Sequence, residues 1–222
     1  MAVPLQNRVL PTGEIVAHPA RGLLMGNRGC LHRPDRTLGA ARWRTTAWIC
    51  CVLSWRGRRR EVMPPGRYTA LFFLDEATAL AAGHRPCGEC RRADYLWFAE
   101  SWQAAGGMTT RPRAAEMDAV LHAQRVESRT RRQVTRAAVA EDLPDGAMIS
   151  YAGTVGLWCA GTLLPWSPRG YGTPVPLRRR AGVRLLTPPA TVAALAAGYR
   201  PLVHPGADPS PTRSLRTLSV AG

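Results

Sequence analysis

The sequence predicts an α+β protein: a small zinc-stabilised β-sheet module with helices, followed by a C-terminal antiparallel β-rich unit. Three observations carry that reading. Short β-branched and aromatic runs lie on both sides of a helical middle. A Cys-x-x-Cys turn at Cys87 and Cys90 follows the first group of runs. Gly-containing turns at short intervals cut the last third into alternating strands.

With 222 residues, 45% of them apolar, the chain can bury a core as one large domain or two small ones. The expected spans are 1–106 for the metal module, 107–142 for a basic helical connector, 143–204 for the β-rich unit and 205–222 for a disordered Pro/Ser tail. The formal charge is +15, and all thirty basic residues are arginine. A GC-rich genome would write arginine for lysine, so the residue choice carries little. The excess of positive charge is what points to a polyanion. The longest uninterrupted apolar run, Ala47 to Leu53, is too short to cross a bilayer, and the first thirty residues hold Gly, Pro and Arg where a secretory h-region would lie. The expected location is therefore the cytoplasm, with no membrane partner. In that reducing setting the six cysteines point to metal before disulfides.

Residues 1–45 are rich in Gly, Arg and Pro, and only Ile15 to Ala17 suggests a strand. "AWICCVLSW" (47–55) and "RYTALFFL" (67–74), joined through the turn "RGRR", predict a hairpin or meander. Asp75 stands where an N-cap belongs, Glu76 places negative charge in the first turn, and Gly83 stops the helix before Arg85-Pro86, which predicts a helix over 76–82. Tyr95, Phe98 and Trp102 give one buried face to a helix over about 91–104. A long helix is expected from Pro112 to about Ala140, with Asp118, His122, Arg125, Arg129, Arg132 and Arg136 along one side. From 143, "AMISY", "TVGLWC" and "TLLPW" predict a meander, followed by a Pro/Arg-rich loop (165–181), the strand "GVRLL" and the helix "PATVAALAAG". The segment "ALAAGHRPC" (79–87) returns as "ALAAGYRPL" (194–202), with Leu202 in the place of Cys87. This is either a chance match between two Gly-closed Ala helices or a duplicated unit whose second copy cannot hold metal.

A Cys-x-x-Cys turn puts two sulfurs on one side, a geometry shared by half a zinc site and by a dithiol redox centre. Here a helix stop and Arg-Pro precede the cysteines, unlike the strand-to-helix setting of thioredoxin-like centres, and this favours zinc. Zinc needs two more ligands, from Cys30 or His32 in "GCLHRP" and from Cys50 or Cys51 in "ICCV". Consecutive strand residues face opposite sides, so only one of Cys50 and Cys51 can face the metal. The site is either Cys30, His32, Cys87 and Cys90, or a set with one upstream ligand from each segment. The reading adopted is Cys87, Cys90, Cys51 and His32, leaving Cys50 and Cys159 to the core.

"FFLDEATALAAGHRPCGEC" resembles the end of the zinc-binding N-terminal domain of the Ada DNA-repair methyltransferases and regulators, over about twenty residues around 71–92. Strand, short helix, Ala-Gly-aromatic-Arg-Pro and Cys-x-x-Cys follow in that order in the family. The resemblance implies zinc ligation by Cys87 and Cys90, contact with DNA, and a setting in DNA repair or regulation. The family's upstream Cys-x3-Cys is missing, so its methyl-acceptor role passes to no residue of this chain.

Other candidates have plain alternatives. His84 is read as packing and Cys159 as core, and His204 has no visible partner. Asp118 with His122 is an i, i+4 pair suited to metal or acid–base work, but also to a solvated helix face. Arg125, Arg129, Arg132 and Arg136 would repel one another along one helix side unless an anion relieves them, which makes them the candidate nucleic-acid contacts. "RGRRR" (56–60) and "RRR" (178–180) read as loop clusters, and the scattered Trp and Tyr do not form a single-strand stacking platform. The function expected is zinc-stabilised binding of nucleic acid, duplex DNA favoured. The alternatives are a zinc-dependent enzyme acting on nucleic acid, by nuclease or alkyl-transfer chemistry, and an interaction protein whose zinc replaces missing core.

Overall fold

The computed structural model describes residues 3–59, 62–207 and 216–217. The fold is α+β. A six-stranded mixed sheet is built from β1 (Gln6–Val9), β2 (Ile15–Ala17), β3 (Leu24–Asn27), β4 (Ile49–Val52), β5 (Leu71–Phe73) and β6 (Arg85–Pro86), in the order β2-β1-β5-β3-β4-β6. A seven-stranded antiparallel sheet contains β7 (Arg136–Val139), β8 (Met148–Tyr151), β9 (Thr154–Cys159), β10 (Thr162–Ser167), β11 (Gly170–Tyr171), β12 (Val175–Pro176) and β13 (Gly182–Leu185). Its order is β11-β10-β9-β8-β13-β7, with β12 on β10. The helices are α1 (Glu76–Ala81), α2 (Arg92–Ala105), α3 (Ala114–Arg125) and α4 (Pro189–Ala196). Among the described residues no helix is long and apolar enough to cross a membrane.

The expected hairpin of β4 with β5 does not form, because β3 lies between them and pairs antiparallel with both. Gly26 explains why this strand hides among loop residues. A Cβ there would stand 2.1 Å from the Ile49 carbonyl oxygen, so the close approach of β3 to β4 demands the one residue that argues against a strand.

α1 forms as its caps dictate. Asp75 Oδ1 accepts from the Thr78 amide at 2.9 Å, and Gly83 takes the left-handed conformation at φ +82°. All six residues of α1 are buried. Ala77 and Ala81 pack on Met148, Leu157 and Leu164 of the second sheet, while Ala79 and Ala82 pack on Leu24, Leu71 and Phe73 of the first. Alanine's small side chain lets two sheets close on one helix. The acids at its start reach further along the chain. Glu76 accepts from Tyr199 Oη at 2.5 Å and the Leu202 amide at 2.8 Å, and Asp75 accepts from Tyr171 Oη at 2.8 Å and the His204 amide at 3.0 Å.

The two echo segments fold alike at the helix stop. His84 N donates to Ala79 O and Gly83 N to Leu80 O, just as Tyr199 N donates to Ala194 O and Gly198 N to Leu195 O. His84 and Tyr199 are both fully buried, at the packing role expected of His84.

The long helix expected to Ala140 ends at Arg125. Val126 is extended, residues 127–132 form a turn closed by a Val126–Gln133 bridge, and Arg136 starts β7. The polar periodicity misled: past Leu121 no apolar stripe continues, and the β-branched residues Val126, Val134, Thr135 and Val139 favour extended chain. The C-terminal meander, the strand at 182–185 and the helix over "PATVAALA" are all present. Of the tail expected to be disordered, Pro205–Ala207 forms a helical turn and Arg216–Thr217 pairs in parallel with Leu202–Val203. The rest of that expectation, 208–215 and 218–222, lies outside the described residues, as does Arg60 of the 56–60 cluster.

Candidate metal centre

β4 and the turn after β6 meet because the two strands run in parallel, with Cys50 opposite Pro86 and Cys87 N donating to Cys50 O at 2.9 Å. Pleating then turns Cys51 toward the Cys-x-x-Cys turn and Cys50 to the other face. The sulfurs of Cys51, Cys87 and Cys90 lie within 4.8 Å of one another, and the three residues are only 1%, 6% and 8% exposed. This group can hold a metal ion.

The surroundings suit thiolates. Glu89 N donates to Cys87 Sγ at 3.4 Å, and the backbone of Val52 donates to Cys90. The turn also sits just before α2, whose N-terminal dipole favours negative charge. Hydrogen bonds from the Cys51 and Cys90 thiols hold the Cys87 thiol far below its ordinary range, and the same bond pushes Cys51 up. Three soft sulfurs with amide donors fit a thiophilic ion such as zinc. The setting of the turn differs from the sequence-based expectation: β6 leads straight into it and α2 follows, so it does lie between a strand and a helix. Cys51, beside the pair, is what separates a metal site from a two-cysteine redox centre.

The remaining sequence candidates fall elsewhere. His32, expected as the fourth ligand, is not in the sulfur group. Its Nδ1 lies 2.7 Å from Thr69 Oγ1, which already accepts from the Leu31 and His32 amides at 2.7 and 3.1 Å. His32 Nε2 is buried without a partner. Cys30 Sγ meets His32 O at 3.8 Å. Cys50 is fully buried beside Arg91 Nη1 at 3.7 Å, and burial pushes its thiol up to about 12. Cys159 packs in the second sheet's core.

Asp118 and His122 do not act as a pair. Asp118 is bound by Arg85 through two bonds, Nε–Oδ1 at 2.8 Å and Nη2–Oδ2 at 2.7 Å, whereas His122 Nδ1 faces Arg125 Nη2 at 3.1 Å. His204 contributes its amide to Asp75, and its Nδ1 accepts from Gly206 N.

The four arginines expected on one helix side are dispersed. Arg125 is 1% exposed and its guanidinium carbon stands 3.8 Å from the centroid of the Trp48 ring, while Arg129 and Arg132 are exposed in the turn after α3 and Arg136 lies in β7. Arg28, a residue that no sequence motif marks, is buried against the same ring at 4.0 Å. An arginine and a tryptophan each adjoining a short apolar strand are the only trace of this cluster in the sequence.

Comparison with protein-family models, with curated proteins and with solved structures finds no match to this chain.

Proposed function

We propose that the chain is a zinc-stabilised nucleic-acid-binding protein. The observation that carries it is the buried group of Cys51, Cys87 and Cys90, drawn from two segments 36 residues apart in sequence and converging on one point. Such a group holds β4, β6 and the start of α2 together when a metal is bound, and its stabilising free energy enters folding directly. The fourth position falls to water or another small ligand, since among the described residues no fourth His, Cys or carboxylate joins the three sulfurs. The nucleic-acid half is supported by the charge of +15 and by arginines exposed after α3. The resemblance of residues 71–92 to the Ada zinc domain supports DNA repair or regulation as the setting.

Metal analysis of the purified protein tests the first half. About one zinc per chain is expected, lost in Cys51→Ser, Cys87→Ser and Cys90→Ser and kept in His32→Ala. A metal-free protein that melts like the zinc-loaded one would overturn the centre, and loss of zinc in His32→Ala would restore that residue as the fourth ligand. Titration with duplex DNA across salt tests the second half. Each phosphate neutralised contributes a slope of roughly −0.9 in log K against log salt, and a flat response would remove the nucleic-acid reading.

A further inference from the structure

We propose that the cleft between the β1–β2 hairpin and the turn after α3 binds a phosphorylated nucleotide, with its phosphate against Arg28 and Arg125. This goes beyond the zinc and DNA reading and needs neither. The cleft encloses about 940 Å³, enough for a nucleotide-sized ligand. It is lined by six arginines, Arg28, Arg42, Arg125, Arg131, Arg132 and Arg184, against one carboxylate, Glu14.

The two buried arginines make this more than a basic surface. Arg28 is 3% exposed; it donates from Nη1 to Gly13 O at 3.2 Å and from Nε to His84 Nε2 at 3.4 Å, and its Nη2 is buried with no partner. Arg125 donates from Nη1 to Gly83 O at 2.7 Å and from Nη2 to Thr46 O at 2.6 Å, and its Nε is likewise buried and unmet. Among the described residues neither guanidinium has a carboxylate partner, because Asp118 is committed to Arg85. Burial pushes both guanidiniums down to about 9. A buried cation with an open donor is costly, and an anion supplies the charge and the acceptor together.

The walls describe the rest of the ligand. Gln133 spends its Nε2 on the carbonyls of Pro11, Ala81 and Leu186, which leaves Oε1 buried and open to a hydroxyl or amine donor. Trp43, half-buried, adds an aromatic wall suited to a base. Arg131 holds φ at +58°, an uncommon conformation for a side-chain-bearing residue, while its Nη1 ties the turn to Ala40 O at 3.0 Å. A terminal phosphate is favoured over a chain-internal one because Arg28 and Arg125 are almost wholly buried. A monoester enters end-on, whereas a diester carries a nucleoside on each side.

The test is calorimetric titration of the full chain as purified, at low salt, with inorganic phosphate, a nucleoside 5′-monophosphate, the matching nucleoside, and one oligonucleotide bearing either a 5′-phosphate or a 5′-hydroxyl. The monophosphate should bind about tenfold or more tightly than inorganic phosphate, and the nucleoside should not bind measurably. Arg28→Gln should weaken the monophosphate about tenfold. Arg42→Gln with Arg132→Gln, both on the exposed rim, should weaken it several-fold without disturbing the fold, so the idea stays testable if the buried variant is unstable. Tighter binding of the 5′-phosphorylated oligonucleotide would identify strand ends as the ligand source, and equal binding of the two oligonucleotides beside a tight mononucleotide would identify free nucleotides. Absence of phosphate and monophosphate binding at millimolar concentration would overturn the site, even if both oligonucleotides bind equally, in which case the DNA reading survives without it. Monophosphate affinity unchanged in the rim double variant would overturn it as well.

Discussion

Replacing Asp118 by alanine should be among the most damaging single changes outside the metal centre. Arg85 and Asp118 are each 5% exposed, and two hydrogen bonds at 2.7 and 2.8 Å join them. Without the carboxylate, Arg85 keeps one bond, from Nη1 to Pro86 O at 3.2 Å, and the Tyr95 ring at 5.6 Å. Breaking one side of a buried ion pair costs about 3–5 kcal/mol, because the surviving charge stays desolvated. For a chain of this size that corresponds to a melting point lower by roughly 6–20 °C. Arg85 lies two residues before Cys87, so the same variant should release zinc to a chelator faster. The double replacement Arg85→Met with Asp118→Leu removes both charges and should recover most of the loss, giving a large coupling energy in a double-mutant cycle. Urea melts of the wild type, Asp118→Ala, Arg85→Met, Asp118→Leu and the double variant measure this. A loss below about 1 kcal/mol in Asp118→Ala, or a double variant no better than the single ones, would refute the reasoning.

Other changes probe the fold and the clusters separately. Gly26→Ala places a methyl 2.1 Å from the Ile49 carbonyl oxygen and should cost about 3 kcal/mol in a denaturant melt, with a loss under about 0.5 kcal/mol showing that β3 is not where it is described. Cys50→Ala should cost about 1 kcal/mol and leave bound zinc unchanged, since Cys50 faces away from the sulfur group. Burial holds His84 well below its ordinary 6.5 in the fold, so the unfolded chain takes up a proton first as pH falls. Its contribution is intact above about 6.5 and is lost as pH drops below it, at up to about 1.4 kcal/mol per pH unit. His84→Phe should flatten the pH dependence of stability in that acid window, and an unchanged slope would show that the titration belongs to another group.

What the sequence made legible is what local chemistry decides. Asp75, Glu76 and Gly83 write α1 in caps, the spacing of Tyr95, Phe98 and Trp102 writes α2, and the glycine turns after 143 write the second sheet. β1 stayed hidden because three of its four residues, Gln6, Asn7 and Arg8, are polar, and β3 because Gly26 is needed for a contact 23 residues away. Among the cysteines, two were marked by their spacing, while strand alternation said that only one of Cys50 and Cys51 could join them without saying which. The environment of His32 depends on Thr69, a residue that no pattern connects to it. The arginine stripe failed for a related reason: charge periodicity says how residues would align if a helix existed, whereas burial of apolar side chains decides whether it does.

The acids at the head of α1 also impose an order on synthesis. Asp75 and Glu76 lie at the heart of the molecule, and beside their nearby partners Thr78 and Arg91 they bind Tyr171, Tyr199, Leu202 and His204, which come 96 to 129 residues later. At roughly 5–20 residues per second, the ribosome exposes α1 for several seconds to tens of seconds before those groups exist. In that interval Asp75 has Thr78 and Glu76 has Arg91, but the face of α1 formed by Ala77 and Ala81, which packs on the second sheet, remains open. The emerging chain is thus most vulnerable to aggregation late in translation, and a ribosome stalled before Tyr199 would carry an intermediate that a holdase chaperone should recognise.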